Sequence, residues 1–175
     1  MENTKKGKLG LMGKNHSDEL YTPDWAFDIL EPFIPKNKVI FECARGTEKL
    51  MDYMSSKGFQ VVWTEDFFNM GRFKESEFDI IITNPPYSKK DKFLQKCYEL
   101  KKPFALLMPI NALEGIKRQH LYRKFGIQIL FPPKRIDFNG KKAPWFYTAW
   151  FCSGLNLPKD LMFIQQKGGL NSSQP

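Results

Sequence analysis

Phe78-Asp79-Ile80-Ile81-Ile82-Thr83-Asn84-Pro85-Pro86-Tyr87 joins an apolar run of strand length to a rigid polar turn. A run apolar at successive positions, rather than at every second one, suits a strand covered on both faces, as in parallel sheets flanked by helices. Two consecutive prolines remove two backbone donors and fix two φ angles, so the ladder must end there and the backbone presents its carbonyls outward. The turn therefore stands at the carboxyl end of a buried strand, where open α/β sheets keep their ligands.

Outward from this strand, short apolar runs alternate with longer segments of helical spacing, the pattern of an α/β domain. Strands are expected at 38–41, 60–63, 78–83, 104–108, 128–131 and 146–152. The last two, joined through Pro132-Pro133 and Asn139-Gly140, form an antiparallel hairpin at one side of a mostly parallel sheet with helices on both faces. The first helix starts with Thr22 as cap and Pro23 as first helical residue, and turns Trp25, Ile29 and Leu30 inward. Leu50, Met51 and Met54 mark a second helix, Phe93, Leu94, Cys97 and Tyr98 a third, and Leu113, Ile116 and Leu121 a fourth.

A chain of 175 residues with 42% hydrophobic side chains supports one domain, read as 18–164 between a basic arm (1–17) and a tail (165–175), with no separate target-recognition domain. The formal charge of +8 favours a polyanionic partner, and nucleic acid is the natural one. The aromatic content, 16 Phe, 6 Tyr and 4 Trp, serves core packing or stacking on a planar substrate. Cys43, Cys97 and Cys152 lack the spacing of a zinc site or a disulfide framework, so no metal is expected and a reducing cytoplasm fits. No apolar stretch reads as a signal peptide or a membrane span.

Three clusters carry candidate chemistry. The Asn84 amide oxygen and the Pro85 carbonyl can each accept one proton of a substrate NH2 group, Pro86 stiffens the turn, and Tyr87 can stack on a planar base. Glu42-Cys43-Ala44-Arg45-Gly46 follows the first strand, where Gly46 allows close approach of a nucleoside cofactor and Glu42 can face its cationic end. After the second strand, Glu65 and Asp66, followed by Phe67, offer acceptors for ribose hydroxyls or an adenine amine. Lys134 and Arg135 are candidate phosphate contacts, with Lys141, Lys142, Trp145 and Phe146 beside them.

With these motifs in order, the chain resembles the S-adenosylmethionine-dependent amino-methyltransferases, especially small phage-type DNA N6-adenine methyltransferases. Tyr21-Thr22-Pro23 is similar to the N-terminal cofactor motif, Glu42 to Gly46 to the glycine-rich motif, Asp66-Phe67-Phe68 to the adenine-proximal acidic motif, and Asn84 to Tyr87 to the catalytic motif. The resemblance implies a Rossmann-like methyltransferase sheet, S-adenosylmethionine as cofactor, and direct in-line transfer to the N6 amine of adenine in DNA, flipped from the duplex or taken from a single strand. Sequence specificity is then low or comes from a partner. Arg45 and Glu48 depart from the family pattern of small residues in the glycine turn. Adenine in RNA, a glutamine amide in protein, and a degenerate fold acting only as a binding module remain alternatives.

Overall fold

Residues 80 to 83 are buried at every position in the strand that the opening sequence anticipates. The structure, a computed structural model, describes residues 21–44, 48–64, 66–70, 74–138 and 146–165. Seven strands occur there: β1 Val39–Glu42, β2 Gln60–Trp63, β3 Ile80–Thr83, β4 Phe104–Pro109, β5 Gln128–Phe131, β6 Thr148–Ser153 and β7 Leu161–Phe163. The helices are α1 Asp24–Asp28, α2 Lys49–Ser56, α3 Lys90–Glu99 and α4 Ile116–Phe125.

The strand order is β2-β1-β3-β4-β6-β5-β7. All neighbours are parallel except at β6, which runs antiparallel to both β4 and β5. The expected antiparallel partnership of β5 and β6 is present, but it does not close the sheet. β6 is inserted between β4 and β5, paired with β4 from Phe104↔Ser153 to Pro109↔Thr148, and β7 takes the outer edge beside β5.

Period-two alternation divides the core between the two faces. Ile40, Ile80, Ile82, Ala105, Leu107, Leu130 and Trp150 pack with Ala26, Phe27 and Leu30 of the N-terminal segment and with Leu50 and Met54 of α2. Their neighbours Phe41, Ile81, Leu106, Met108, Ile129, Ala149 and Phe151 pack with Phe93, Leu94, Cys97 and Tyr98 of α3. Helices on both faces thus follow from strands that are apolar throughout.

Three local expectations are corrected. Pro23 is the residue before α1 rather than its first residue, and Thr22 makes no capping bond because its hydroxyl accepts from Asn84 instead. The inward residues of this segment are as expected, with Leu30 buried beside Ala26 and Phe27 and with Trp25 and Ile29 packed half-buried against the same core. Ile116 does not point inward: it is 86% exposed at the start of α4, and Leu113 belongs to the preceding 3₁₀ turn, Ile110–Leu113. β3 also begins two residues later than expected, because Asp79 turns its carboxylate to the Val39 amide (2.9 Å) and the Phe78 ring packs against Phe41.

Candidate active site

The chain leaves β1 for β2 on one side and returns to β3 on the other, so the switch point lies between β1 and β3. Their ladder covers only Ile40↔Ile80 and Phe41↔Ile81, short of the carboxyl end of either strand. Beyond it the two strands meet through side chains: the Thr83 hydroxyl donates to Glu42 Oε1. The same carboxylate oxygen accepts from the Ala44 amide at 2.9 Å.

Glu42 and Thr83 are both buried. Loss of hydration pushes the Glu42 pKa up from 4.5 to about 7, against the opposing pull of the two hydrogen bonds. A carboxyl held this way gains when a cation arrives, since the cation replaces the lost hydration. That is the electrostatic character required for the cationic end of a sulfonium amino acid.

One residue beyond Thr83, the Asn84 side-chain nitrogen donates to Thr22 Oγ1 at 3.0 Å. This contact joins the Tyr21-Thr22-Pro23 segment to the Asn84–Tyr87 turn across 62 positions of sequence and leaves the amide oxygen at the opposite end of the group. Pro85 is buried and Pro86 half-buried. Tyr87 opens a 3₁₀ turn, Tyr87–Lys89, that runs directly into α3. Its ring meets Phe138 and Phe146 edge-on, with centroids 6.3 and 5.7 Å away. Its hydroxyl is buried without a hydrogen-bond partner among the described residues, and burial pushes its pKa up.

Tyr21 caps this side of the site, with its hydroxyl 3.2 Å from Asp24 Oδ1 and Lys49 Nζ 4.4 Å from its ring centroid. Lys49 is the first residue of α2, so the Tyr21-Thr22-Pro23 segment bridges the start of α2 and the end of β3. Glu48 is exposed at the residue before α2, where an acidic side chain faces a favourable helix dipole. Gly46, with Arg45, lies outside the described residues, as do Glu65, Lys141, Lys142, Trp145 and the arm 1–17.

Asp66 follows β2 and is exposed; its Oδ1 accepts from the amides of Phe68 (2.9 Å) and Asn69 (3.2 Å), so one oxygen holds its own turn. Phe67 is a core residue, stacked on Phe93 at 5.1 Å and beside Phe41, and its ring faces away from solvent. Lys134 and Arg135 are exposed between buried Pro132 and Ile136, and Lys134 Nζ lies 5.2 Å from the Trp25 ring centroid. The geometry therefore unites Thr22, Glu42, Ala44, Thr83 and Asn84, and leaves Lys134 and Arg135 beside α1. Sequence reasoning passed over Thr83 and Phe138. The signal for Thr83 was a lone hydroxyl closing an isoleucine run at a strand end.

Residues 8–130 match the family of Eco57I restriction-modification methylases. The chain belongs to this family. Among solved structures, a Listeria monocytogenes protein assigned as a class I S-adenosylmethionine-dependent methyltransferase superposes with a TM-score of 0.55 at 14% identity, over 90% of this chain and 68% of that one. That likeness is one of fold. A dimethyladenosine transferase from Plasmodium falciparum gives a TM-score of 0.48 at 14% identity, over 77% of this chain and 62% of that one. A Vibrio vulnificus protein assigned as the modification subunit of a type I restriction enzyme gives 0.45 at 13% identity, over 80% and 45%. The chain thus spans about three fifths of the Plasmodium enzyme's length and under half of the Vibrio subunit's. No curated protein matches it. For a methylase domain of this fold the methyl donor is S-adenosylmethionine, and the buried Glu42 carboxyl at the switch point fits that donor's cationic end.

Proposed function

We propose that this methylase transfers a methyl group from S-adenosylmethionine to the exocyclic N6 amine of adenine in DNA. The observation that carries the reading is the junction at the ends of β1 and β3: a buried cation-seeking carboxyl, Glu42, tied through Thr83 to a turn whose Asn84 is oriented by Thr22. Glu42, with the Ala44 amide and Tyr21 nearby, would hold the cofactor; Asp66 would face its ribose or adenine.

When bound, the cofactor would supply an electrophilic methyl group that passes to the N6 nitrogen as its bond to sulfur breaks, with one N6 proton lost to water. The Asn84 amide oxygen and the Pro85 carbonyl would each accept a hydrogen bond from the N6 amine, which localises a lone pair otherwise spread into the ring and aims it at the methyl carbon. Tyr87, backed by Phe138 and Phe146, holds the face of the base. Cys43, Cys97 and Cys152 are buried with their thiols pushed up by burial, so they offer no nucleophile for a covalent route.

The test incubates the purified chain with methyl-labelled S-adenosylmethionine and, separately, DNA, RNA and protein, followed by nucleoside mass spectrometry. Label in N6-methyladenine of DNA is expected; label confined to RNA or to protein overturns the substrate. Asn84→Ala is expected to keep cofactor affinity by calorimetry and to lose roughly 100-fold or more in turnover, the scale of losing a group that acts in the transition state. Undiminished turnover in that variant removes the mechanism.

A further inference from the structure

The segment that follows Tyr87 is strongly basic. Between residues 88 and 125 there are ten basic and three acidic side chains, an excess of seven where the whole chain's excess is eight. Eight of the ten basic residues lie on α3, α4 and the turn leading into α3, on one side of the sheet, and the other two, Lys101 and Lys102, lie between α3 and β4. Lys134 and Arg135 stand apart from them, beside α1 on the opposite side.

This face starts at the catalytic turn. Tyr87–Lys89 runs into α3 without a break, and Lys90 Nζ reaches back to the Tyr87 carbonyl at 3.4 Å. Lys89, just before α3, and Lys92, on its first turn, are exposed, as is Lys117 on the first turn of α4. The two first turns are clamped together by Arg118, which donates to Asp91 Oδ1 at 2.5 Å and to the Ala112 carbonyl at 2.8 Å. Arg118 is thereby committed to structure, and it neutralises Asp91. Of the other acids on this face, Glu99 accepts from Gln95 at the far end of α3, and Glu114 is exposed in the turn before α4.

At the tip stands Ile116. It is 86% exposed, the first residue of α4, and next to Lys117. Its presentation is built in: Gly115 turns the chain with φ +94°, and a Cβ added there would come within 2.9 Å of the Arg118 guanidinium. A large aliphatic side chain held outward by a clamped turn, with Lys117 next to it, pairs an apolar contact with a phosphate contact. Proteins that press on a duplex use this pairing, with cations on the backbone and an aliphatic wedge against a base step.

We propose that the first turns of α3 and α4 form the surface on which a DNA duplex lies, with Lys89, Lys92 and Lys117 on phosphates and Ile116 pressed against the bases beside the catalytic turn. This deepens the proposed function, and it rests on that reading for the nature of the partner. The two contact types separate by salt. Phosphate contacts set the slope of log affinity against log salt, about 0.9 per contact, whereas an apolar contact shifts affinity without changing the slope.

The experiment measures binding of a labelled mixed-sequence DNA duplex by fluorescence anisotropy across a salt series, with thermal melts to verify folding. Lys92→Gln combined with Lys117→Gln is expected to make the slope shallower by about 2 and to weaken binding on the order of 10-fold or more at moderate salt. Ile116→Ala is expected to weaken binding roughly 3- to 10-fold at an unchanged slope, the scale of one partly desolvated aliphatic side chain. An unchanged slope in the lysine pair, an unchanged affinity in Ile116→Ala, or a slope that follows Lys134→Gln with Arg135→Gln instead would each overturn the proposal. Binding needs neither cofactor nor turnover, so this result and the labelled-methyl result can fail independently.

Discussion

Glu42 carries more of the chemistry than its place in a short acidic motif conveys. Its pKa of about 7 against an ordinary 4.5 means that the folded chain favours the neutral carboxyl. Below 4.5 both states hold the proton; between 4.5 and about 7 the unfolded chain ionises first, so stability falls as pH rises, by roughly 3 kcal/mol once past the upper value. Glu42→Gln should therefore raise stability above pH 7 by about 1–3 kcal/mol in denaturant titrations and leave it little changed near pH 4. The same variant should weaken S-adenosylmethionine binding about 10-fold or more, and it should remove the proton release expected of the wild type, which calorimetry reads as a dependence on buffer ionisation enthalpy. Binding by the wild type with no proton release near pH 6.5 would place the cofactor's cation elsewhere. In the proposed reaction Thr22, whose hydroxyl accepts from Asn84, acts through that residue rather than on substrate. Thr22→Val keeps the shape but withdraws the acceptor, so kcat should fall roughly 10- to 100-fold with KM for DNA nearly unchanged. Thr22→Ser should restore most of the rate, and equal losses in the two variants would mean that the hydroxyl has no positioning role.

Among the elements, α1 has five residues, too few to persist alone, and its buried face packs against the sheet. Leu30 donates to Phe27, and the Ala26 carbonyl instead accepts the indole N–H of fully buried Trp150 at 2.7 Å. Trp150→Phe strands that carbonyl and opens space in the core, so it should cost about 2–4 kcal/mol in chemical denaturation. Because α1 follows directly on Thr22, the variant should also lose turnover beyond what its folded fraction explains. A loss of stability with full specific activity would uncouple the element from the site. The parts legible in the sequence were those with continuous apolar strands or strict helical spacing: β2 and β5 end where expected, and Phe93, Leu94, Cys97 and Tyr98 are all buried on α3. What escaped depended on contacts distant in sequence. The insertion of β6 beside β4 is set by pairing between residues distant in sequence, from Pro109↔Thr148 to Phe104↔Ser153, and no local pattern encodes it. The outward Ile116 obeys the Gly115 turn and the Arg118 clamp, not its hydrophobicity. In the site, the Asn-Pro-Pro-Tyr turn was legible from its own chemistry, whereas the Thr22–Asn84 and Thr83–Glu42 partnerships required the fold to bring the strand ends together.

At the scale of the whole molecule, the sheet's two edges differ in how they meet solvent. β2 forms one edge with half-buried Val61, Val62 and Trp63, whereas β7 forms the other with Leu161 56% and Phe163 70% exposed. Phe163 is fastened to Phe131 by a near-parallel stack at 4.4 Å, and β7 is paired to β5 from Ile129↔Leu161 to Phe131↔Phe163. The apolar run Leu161-Met162-Phe163-Ile164 is therefore a short strand that the sequence reading passed over, too brief to stand out between its flanking loops. An edge strand with exposed apolar side chains invites pairing with another chain, and a single lysine there opposes it by requiring a charge to be desolvated. Leu161→Lys, at a half-exposed position remote from the β1–β3 junction, should change stability by no more than about 1 kcal/mol. Light scattering at rising protein concentration should show less self-association than in the wild type, with cofactor binding and methyl transfer unchanged. Equal scattering from the two proteins would mean that the β7 edge is not where copies of this chain meet.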